Sequence, residues 1–330
     1  MRPTAIVAPY ATSPPPTATS RLADGAEAEF YSQLRTLPNV QGYEVPLLPG
    51  GVLHPLDEAW VLSQLVLPLS TCGEPSMVLT CVPATCVAIA EDAQFGLASD
   101  DPAGRAAAVE LIRKGHAAAA RANAAAGRSN FVIAVELHSG PSRPKGASSA
   151  ASLQRSLEEI AAWDWAGASL LVEHCDAFTP AFPPVKGFLT FEEELAAVRG
   201  ARAALGEGGS SLGFCVNWAR SVLESRDPGT ALAHCRAAGA EGLLLGLMFS
   251  GCTGEAGDYG PWVDCHAPLD VDAPGSLLTA ATVREAVQEA RKLSSPQRFV
   301  GCKVKLAGQP SAEQRAAANG RIIAAFADLL

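Results

Sequence analysis

The stretch LLVEHCDAF, residues 170–178, passes from three aliphatic side chains straight into Glu173, His174, Cys175 and Asp176. An apolar run that ends on four groups able to bind protons or metals reads as the rim of an active site. Other runs end in the same way. Glu136 and His138 close FVIAVELHS (131–139), and Asn217 closes LGFCVNWA (212–219) with Arg220 just behind it. Ser250 closes GLLLGLMFS (242–250), and Lys303 and Lys305 close FVGCKVKLA (299–307). Carboxylates and an imidazole can move protons, and an ammonium can hold a developing oxyanion. A lysine whose pKa is lowered by burial can instead form a Schiff base.

Such groups act together only if the chain brings them to one place. Successive side chains on a strand point to opposite faces. If the aliphatic face of each run meets helices, the other face carries Glu136 and His138, then Leu171, Glu173 and Cys175. It also carries Gly213, Cys215 and Asn217, then Leu244, Gly246, Met248 and Ser250, then Phe299, Gly301, Lys303 and Lys305. These sets are small or apolar at the strand starts and polar at the strand ends. Glu136, Glu173, Lys303 and His138 are the expected catalytic groups. Asn217, Arg220, Lys305 and Ser250 are the expected substrate contacts, with Arg220 as a planar fork for an anion or as the helical partner of Glu224. His174 has the opposite parity and should face helices. His54, His116 and His234 read as a loop residue and two helix residues outside the site.

The remaining strand-like runs are TAIVAPYA (4–11), GYEVPLL (42–48) and SMVLTCV (76–82). Helical stretches separate the runs: 24–37 opening on Asp24, 57–67 opening on Asp57, 101–127 ending at Gly127, and 148–165. The others are 190–205 with a Thr190–Glu193 capping box, 227–239 with Pro228 at its start, 279–293 and 311–330. Strict alternation of this kind demands parallel strands, and eight repeats of ~40 residues point to one closed (β/α)8 barrel spanning 1–330. An open doubly wound sheet would carry a glycine-rich first turn, whereas this one reads ATSPPPTATS. Residues 251–278 form a long Gly- and Pro-rich segment before the seventh helix, expected as a lid. Its Tyr259, Trp262, Asp264 and His266 could close over a sugar ring.

Net charge is −9, which argues against a nucleic-acid surface. No apolar stretch reaches the ~20 residues that cross a bilayer, and MRPTAIVAPYATS reads as a first strand rather than a leader. Nine cysteines without a CxxC pair, several inside apolar runs, suit a reducing cytoplasm. The expected partner is a small molecule, a sugar or sugar derivative; the oligomeric state is left open, a homo-oligomer included.

Five phrases carry a family resemblance: FGLASDDPAGRAAAVELIR (95–113), AVELHSGP (134–141), LLVEHCDAF (170–178), VKGFLTFEEELAAV (185–198) and VNWARSVLESRDP (216–228). With them the chain resembles the xylose-isomerase-like group of TIM barrels, which includes sugar isomerases, epimerases and endonuclease-like relatives. It resembles more closely a family within that group that has no settled activity. The resemblance implies sugar isomerisation or epimerisation and a divalent cation (Mg, Mn or Zn) held by a strand-end Glu, then Asp or His, His and Glu on following strands. Glu173 matches the first position, and Asp176 is the other expected ligand. Asn217, Ser250 and Lys303 or Lys305 depart from the pattern, and an ammonium is a poor neighbour for a metal. The alternatives are a Schiff-base lyase or aldolase using Lys303 or Lys305, and a non-catalytic carbohydrate-binding barrel.

Overall fold

A computed structural model describes residues 2–14, 25–293 and 297–330. The Asp24 cap and most of the proline-rich first turn lie outside the described residues. Eight strands close into a parallel barrel: β1 (Thr4–Val7), β2 (Gly42–Pro46), β3 (Ser76–Thr80), β4 (Val132–Leu137), β5 (Ser169–Glu173), β6 (Leu212–Asn217), β7 (Leu244–Phe249) and β8 (Phe299–Cys302). Each pairs with its successor, and β8 returns to β1 with Thr4 opposite Phe299 and Val7 opposite Cys302.

The α-helices among the described residues are α1 (Pro9–Thr12), α2 (Ala26–Thr36), α3 (Glu58–Leu65), α4 (Val82–Glu91), α5 (Pro102–Ala125) and α6 (Ala150–Ala161). They continue with α7 (Phe191–Leu205), α8 (Trp218–Ser225), α9 (Gly229–Ala240), α10 (Ala280–Lys292) and α11 (Ala312–Phe326). The additions to the expected set are α1, α4 and α8, each starting within two residues of a strand end. The expected starts have local causes. Asp57 accepts from Trp60 N at 2.9 Å, Asp101 accepts from Gly104 N at 2.7 Å, and Thr190 and Glu193 form the reciprocal capping box.

Two apolar layers divide the interior. The outer one lies between strands and helices and includes Val7, Val135, Val172, Phe214 and Val300. The inner one fills the barrel with Ile6, Val78, Ala134, Leu171, Cys215, Leu245, Met248 and Phe299. Gly246 is glycine because a Cβ there would come within 2.7 Å of the Phe299 ring.

Three strand expectations are corrected. β7 carries an extra residue against β6, where Phe214 pairs with Leu244 but Cys215 pairs with Gly246. This bulge puts Leu245 inside and leaves Leu244 against the helices. β6 stops at Asn217, so Trp218 and Arg220 belong to α8. β8 stops at Cys302, short of both lysines.

Candidate active site at the barrel mouth

Above the apolar plug, the strand ends turn polar. Glu44 on β2, Glu136 on β4 and Glu173 on β5 are fully buried, and their carboxyl oxygens lie within 4.8 Å of one another. Lys303, also fully buried, places Nζ 2.7 Å from Glu44 Oε1 and 3.2 Å from Glu173 Oε1. Glu173 accepts from Asn217 Nδ2 at 2.9 Å on Oε1 and from His138 Nε2 at 2.9 Å on Oε2, and Oε2 is also ion-paired with Arg220 Nη1 at 2.7 Å. Ser250 donates to Asn217 Oδ1 at 2.8 Å and so fixes which way the amide faces. Glu136, Glu173, Lys303, His138, Asn217, Arg220 and Ser250 therefore meet at one rim.

Burial alone would raise the Glu173 carboxyl, but Arg220, Lys303 and His138 hold it well below the usual range. Lys303 is the converse: burial favours the neutral amine, yet Glu173 and Glu44 keep it an ammonium. Burial and the neighbouring Glu173 and Glu44 push Glu136 well above an ordinary carboxyl. Burial also depresses His138 to about 4, in spite of Glu173. A neutral imidazole facing a carboxylate must carry its proton on Nε2, so Nδ1 is a bare acceptor. That Nδ1, both Glu136 oxygens and Thr80 Oγ1 are buried with no hydrogen-bond partner among the described residues.

The segment 251–278 reaches this rim through Asp264 and His266. Asp264 Oδ2 accepts from Lys186 Nζ at 2.6 Å and from Arg220 Nε at 3.3 Å, and its Oδ1 lies 3.2 Å from His266 Nδ1. Trp262 turns elsewhere and lies 5.2 Å from the Arg226 guanidinium. A cavity of about 270 Å³ adjoins the cluster; Tyr10, Glu27, Tyr31, Glu44 and His54 are among its walls. Glu44 thus belongs both to the buried network and to the cavity.

Besides Trp262, two of the expected site residues lie away from the Glu173 cluster. Lys305 lies beyond the end of β8 and is exposed, with its backbone N–H on His266 O at 2.7 Å. Asp176 folds back on its own loop, accepting from Val185 N at 2.7 Å and Lys186 N at 2.9 Å, and does not join Glu173 as a ligand pair. Arg220 and Glu224 also part company: Glu224 bonds His174 at 3.0 Å. Glu44, Tyr10 and Lys186 were not expected in the site. Glu44 had a visible signal, a lone carboxylate inside the apolar run GYEVPLL with the parity of Gly42 and Pro46.

On the outer side of the β5 tip, His174 faces the helices as its parity implies. Its Nδ1 lies 2.7 Å from Glu194 Oε2 on α7, and its Nε2 lies 3.0 Å from Glu224 Oε2 on α8. Burial would lower this imidazole, but the two carboxylates raise it to about 10.

The fold is that of a xylose-isomerase-like TIM barrel. The same fold is seen in a candidate xylose isomerase from Rhodospirillum rubrum, with a TM-score of 0.58 at 12% identity over 98% of this chain and 99% of that one. A xylose isomerase-like TIM barrel protein from Mycobacterium smegmatis, in complex with magnesium, superposes with a TM-score of 0.51 at 12% identity, covering 99% of this chain and 97% of that one. The chain belongs to the family described as Domain of unknown function (DUF4862), whose model matches residues 6–318. An uncharacterized protein of Salmonella typhimurium (strain LT2) is 38% identical over 267 residues, covering 80% of this chain and 79% of the relative. No helix among the described residues is long and apolar enough to cross a membrane.

Proposed function

We propose that the protein isomerises or epimerises a small sugar or sugar derivative by moving a proton beside its carbonyl group. The observation that carries this reading is the set of unmet polar atoms at the rim: both Glu136 oxygens and His138 Nδ1, buried beside the Lys303 ammonium. Each such group costs about 1–3 kcal/mol while unpaired, and a hydroxylated ligand would meet them. The fold of the sugar-isomerase-like neighbours supports the substrate class.

Glu136 and His138 share one face two residues apart, one holding a proton and one lacking it. In the forward step the base takes the proton from the carbon next to the carbonyl, and the acid protonates the carbonyl oxygen. The enediol is reprotonated by the imidazolium at the neighbouring carbon for isomerisation, or on the opposite face of the same carbon for epimerisation, while one enediol hydroxyl returns its proton to the ionised acid. No co-reactant is consumed. Lys303 stabilises negative charge on the oxygen. Glu173, with three donors and the Arg220 ion pair, anchors Lys303, Arg220, Asn217 and His138 rather than moving the proton. Asp264 and His266 would act as the inner face of a lid.

The divalent cation that the fold implies does not fit these donors. Lys303 spans Glu44 and Glu173, and both oxygens of Glu173 are engaged by Lys303, Asn217, His138 and Arg220. Asn217 and Ser250 replace stronger ligands, and their amide and hydroxyl are already bonded to Glu173 and to each other. The Schiff-base alternative needs a neutral amine, whereas Lys303 is held as an ammonium.

The test is proton exchange. Aldoses, ketoses and their amino and acid derivatives are incubated with enzyme in D2O and followed by NMR. Deuterium should enter beside the carbonyl, and Glu136→Gln should slow this about 10²–10⁴-fold. A borohydride-trapped adduct on Lys303, without exchange, would replace this reading with the lyase. Binding without exchange would leave a carbohydrate-binding barrel.

A further inference from the structure

The cluster behind β5 plays no part in the proton transfer proposed above. From its geometry we infer that His174, Glu224 and His234 form a second, independent site for a divalent cation of the zinc type, outside the barrel between α7, α8 and α9. One ligand atom from each of the three residues lies within 4.8 Å of the others. The separation of His174 Nε2 and Glu224 Oε2, 3.0 Å, is close to the ~3.3 Å edge of a tetrahedron with ~2.0–2.1 Å bonds. Imidazoles with one carboxylate are the donor set that zinc and its neighbours favour over magnesium or calcium.

The surroundings are built as well. A metal-bound histidine fixes its ring through the other nitrogen, and both rings here have that partner: His174 Nδ1 lies 2.7 Å from Glu194 Oε2, and His234 Nδ1 lies 3.0 Å from Ser221 Oγ. Glu194 is itself held by the Ser139 hydroxyl. Phe191 stacks on His234 at 4.1 Å, with an interplanar angle of 3°, and packs edge-on against His174. Glu224 also accepts from Ala177 N at 2.9 Å and keeps 14% of its side chain exposed, which gives a cation a way in. On binding, the cation takes the place of the Nε2 proton between His174 and Glu224, and that proton leaves to water. A fourth position stays open for water. The bound ion would clamp the tip of β5 to α8 and α9, directly behind Glu173.

The full-length protein is stripped with chelator, then titrated with Zn²⁺ against a chromophoric competitor. Co²⁺ serves as a spectroscopic probe. One equivalent of tight Zn²⁺ and an intense tetrahedral Co²⁺ spectrum are expected. His234→Ala and Glu224→Gln should each weaken Zn²⁺ at least about 100-fold, and Ser221→Ala about 10-fold. Circular dichroism and thermal melting of the stripped variants establish that they fold. Glu136→Gln, at the barrel mouth, should leave Zn²⁺ affinity within about 2-fold. No binding by folded wild type overturns the inference, as does binding that survives in folded His234→Ala and Glu224→Gln. Loss in Glu136→Gln alone would move the cation to the mouth and overturn it too. Because the readout is metal affinity, it stands or falls separately from the proton-exchange test.

Discussion

Glu173 and His174 are neighbours in sequence and opposites in surroundings. Glu173 points into the barrel and is an anion ringed by an ammonium, a guanidinium, an imidazole and an amide. His174 points out and is a cation held between two carboxylates. The alternation of a strand places them back to back. They teach that parity can sort opposite charges into two separate networks, each with its own counter-charges. The inner network still leaves Glu136 and His138 Nδ1 unmet, whereas the outer one satisfies both nitrogens of its histidine. Unmet polarity is what a substrate site needs, whereas the outer imidazole must first give up its Nε2 proton before a cation can bind.

The sharpest way to break this contrast is to remove its inner anchor. Glu173→Ala takes from Lys303 and Arg220 the carboxylate they share and leaves each on a single partner, Glu44 and Asp264, and loss of one partner of a buried pair costs about 3–5 kcal/mol. Urea unfolding should show that loss, and proton exchange should vanish. A folded Glu173→Ala protein of unchanged stability would mean that water already screens the cluster. Glu136→Gln separates activity from stability. Exchange should fall about 10²–10⁴-fold while stability at pH 7 rises. The folded state keeps a carboxyl proton that the unfolded chain gives up above about 4.5, which costs about 1.4 kcal/mol for each pH unit up to the raised pKa. A destabilised Glu136→Gln would instead show that the carboxyl is paired and structural.

The same two groups predict an unusual pH profile. His138 is depressed to about 4 from 6.5, so below pH 6.5 the unfolded chain takes a proton that the folded imidazole refuses. Stability therefore falls as pH drops from about 6.5 to 4, approaching ~1.4 kcal/mol per unit. Glu136 acts with the opposite sign above about pH 4.5, and in wild type the two partly cancel. Glu136→Gln removes the compensation, so its stability should decline more steeply than wild type between pH 6.5 and 5. Parallel curves would show that the two groups are not both perturbed as the geometry requires.

Much of this contrast was legible in the residues. The parity of VELH and LVEH separates Glu136, His138 and Glu173 from His174, and alternation around the chain gives the closed barrel. Parity failed where the backbone departs from a uniform strand: the bulge in β7 shifts Leu245 inward in place of Leu244, and β6 and β8 end early. It could not reveal partners from distant segments. Glu44 on Lys303, Asp264 on Arg220 and His234 beside His174 are joined only by the closed fold. The reading of His234 as a plain helix residue missed this last contact, because helix position alone does not show which ring a side chain will meet.

The smallest expected effect tests that boundary between strand and loop most directly. Lys303 and Lys305 have the same parity, and sequence spacing treats them alike. In the structure the first is fully buried on two carboxylates, while the second is exposed beyond the strand end. An exposed lysine without a buried partner contributes little, so Lys305→Ala should change stability by less than about 0.5 kcal/mol and leave exchange within about 2-fold. Lys303→Met removes the ammonium that Glu44 and Glu173 share and should cost about 3–5 kcal/mol together with activity. If Lys305→Ala proved as damaging as Lys303→Met, the strand would have to continue past Cys302, and the rim would include a second ammonium facing the substrate.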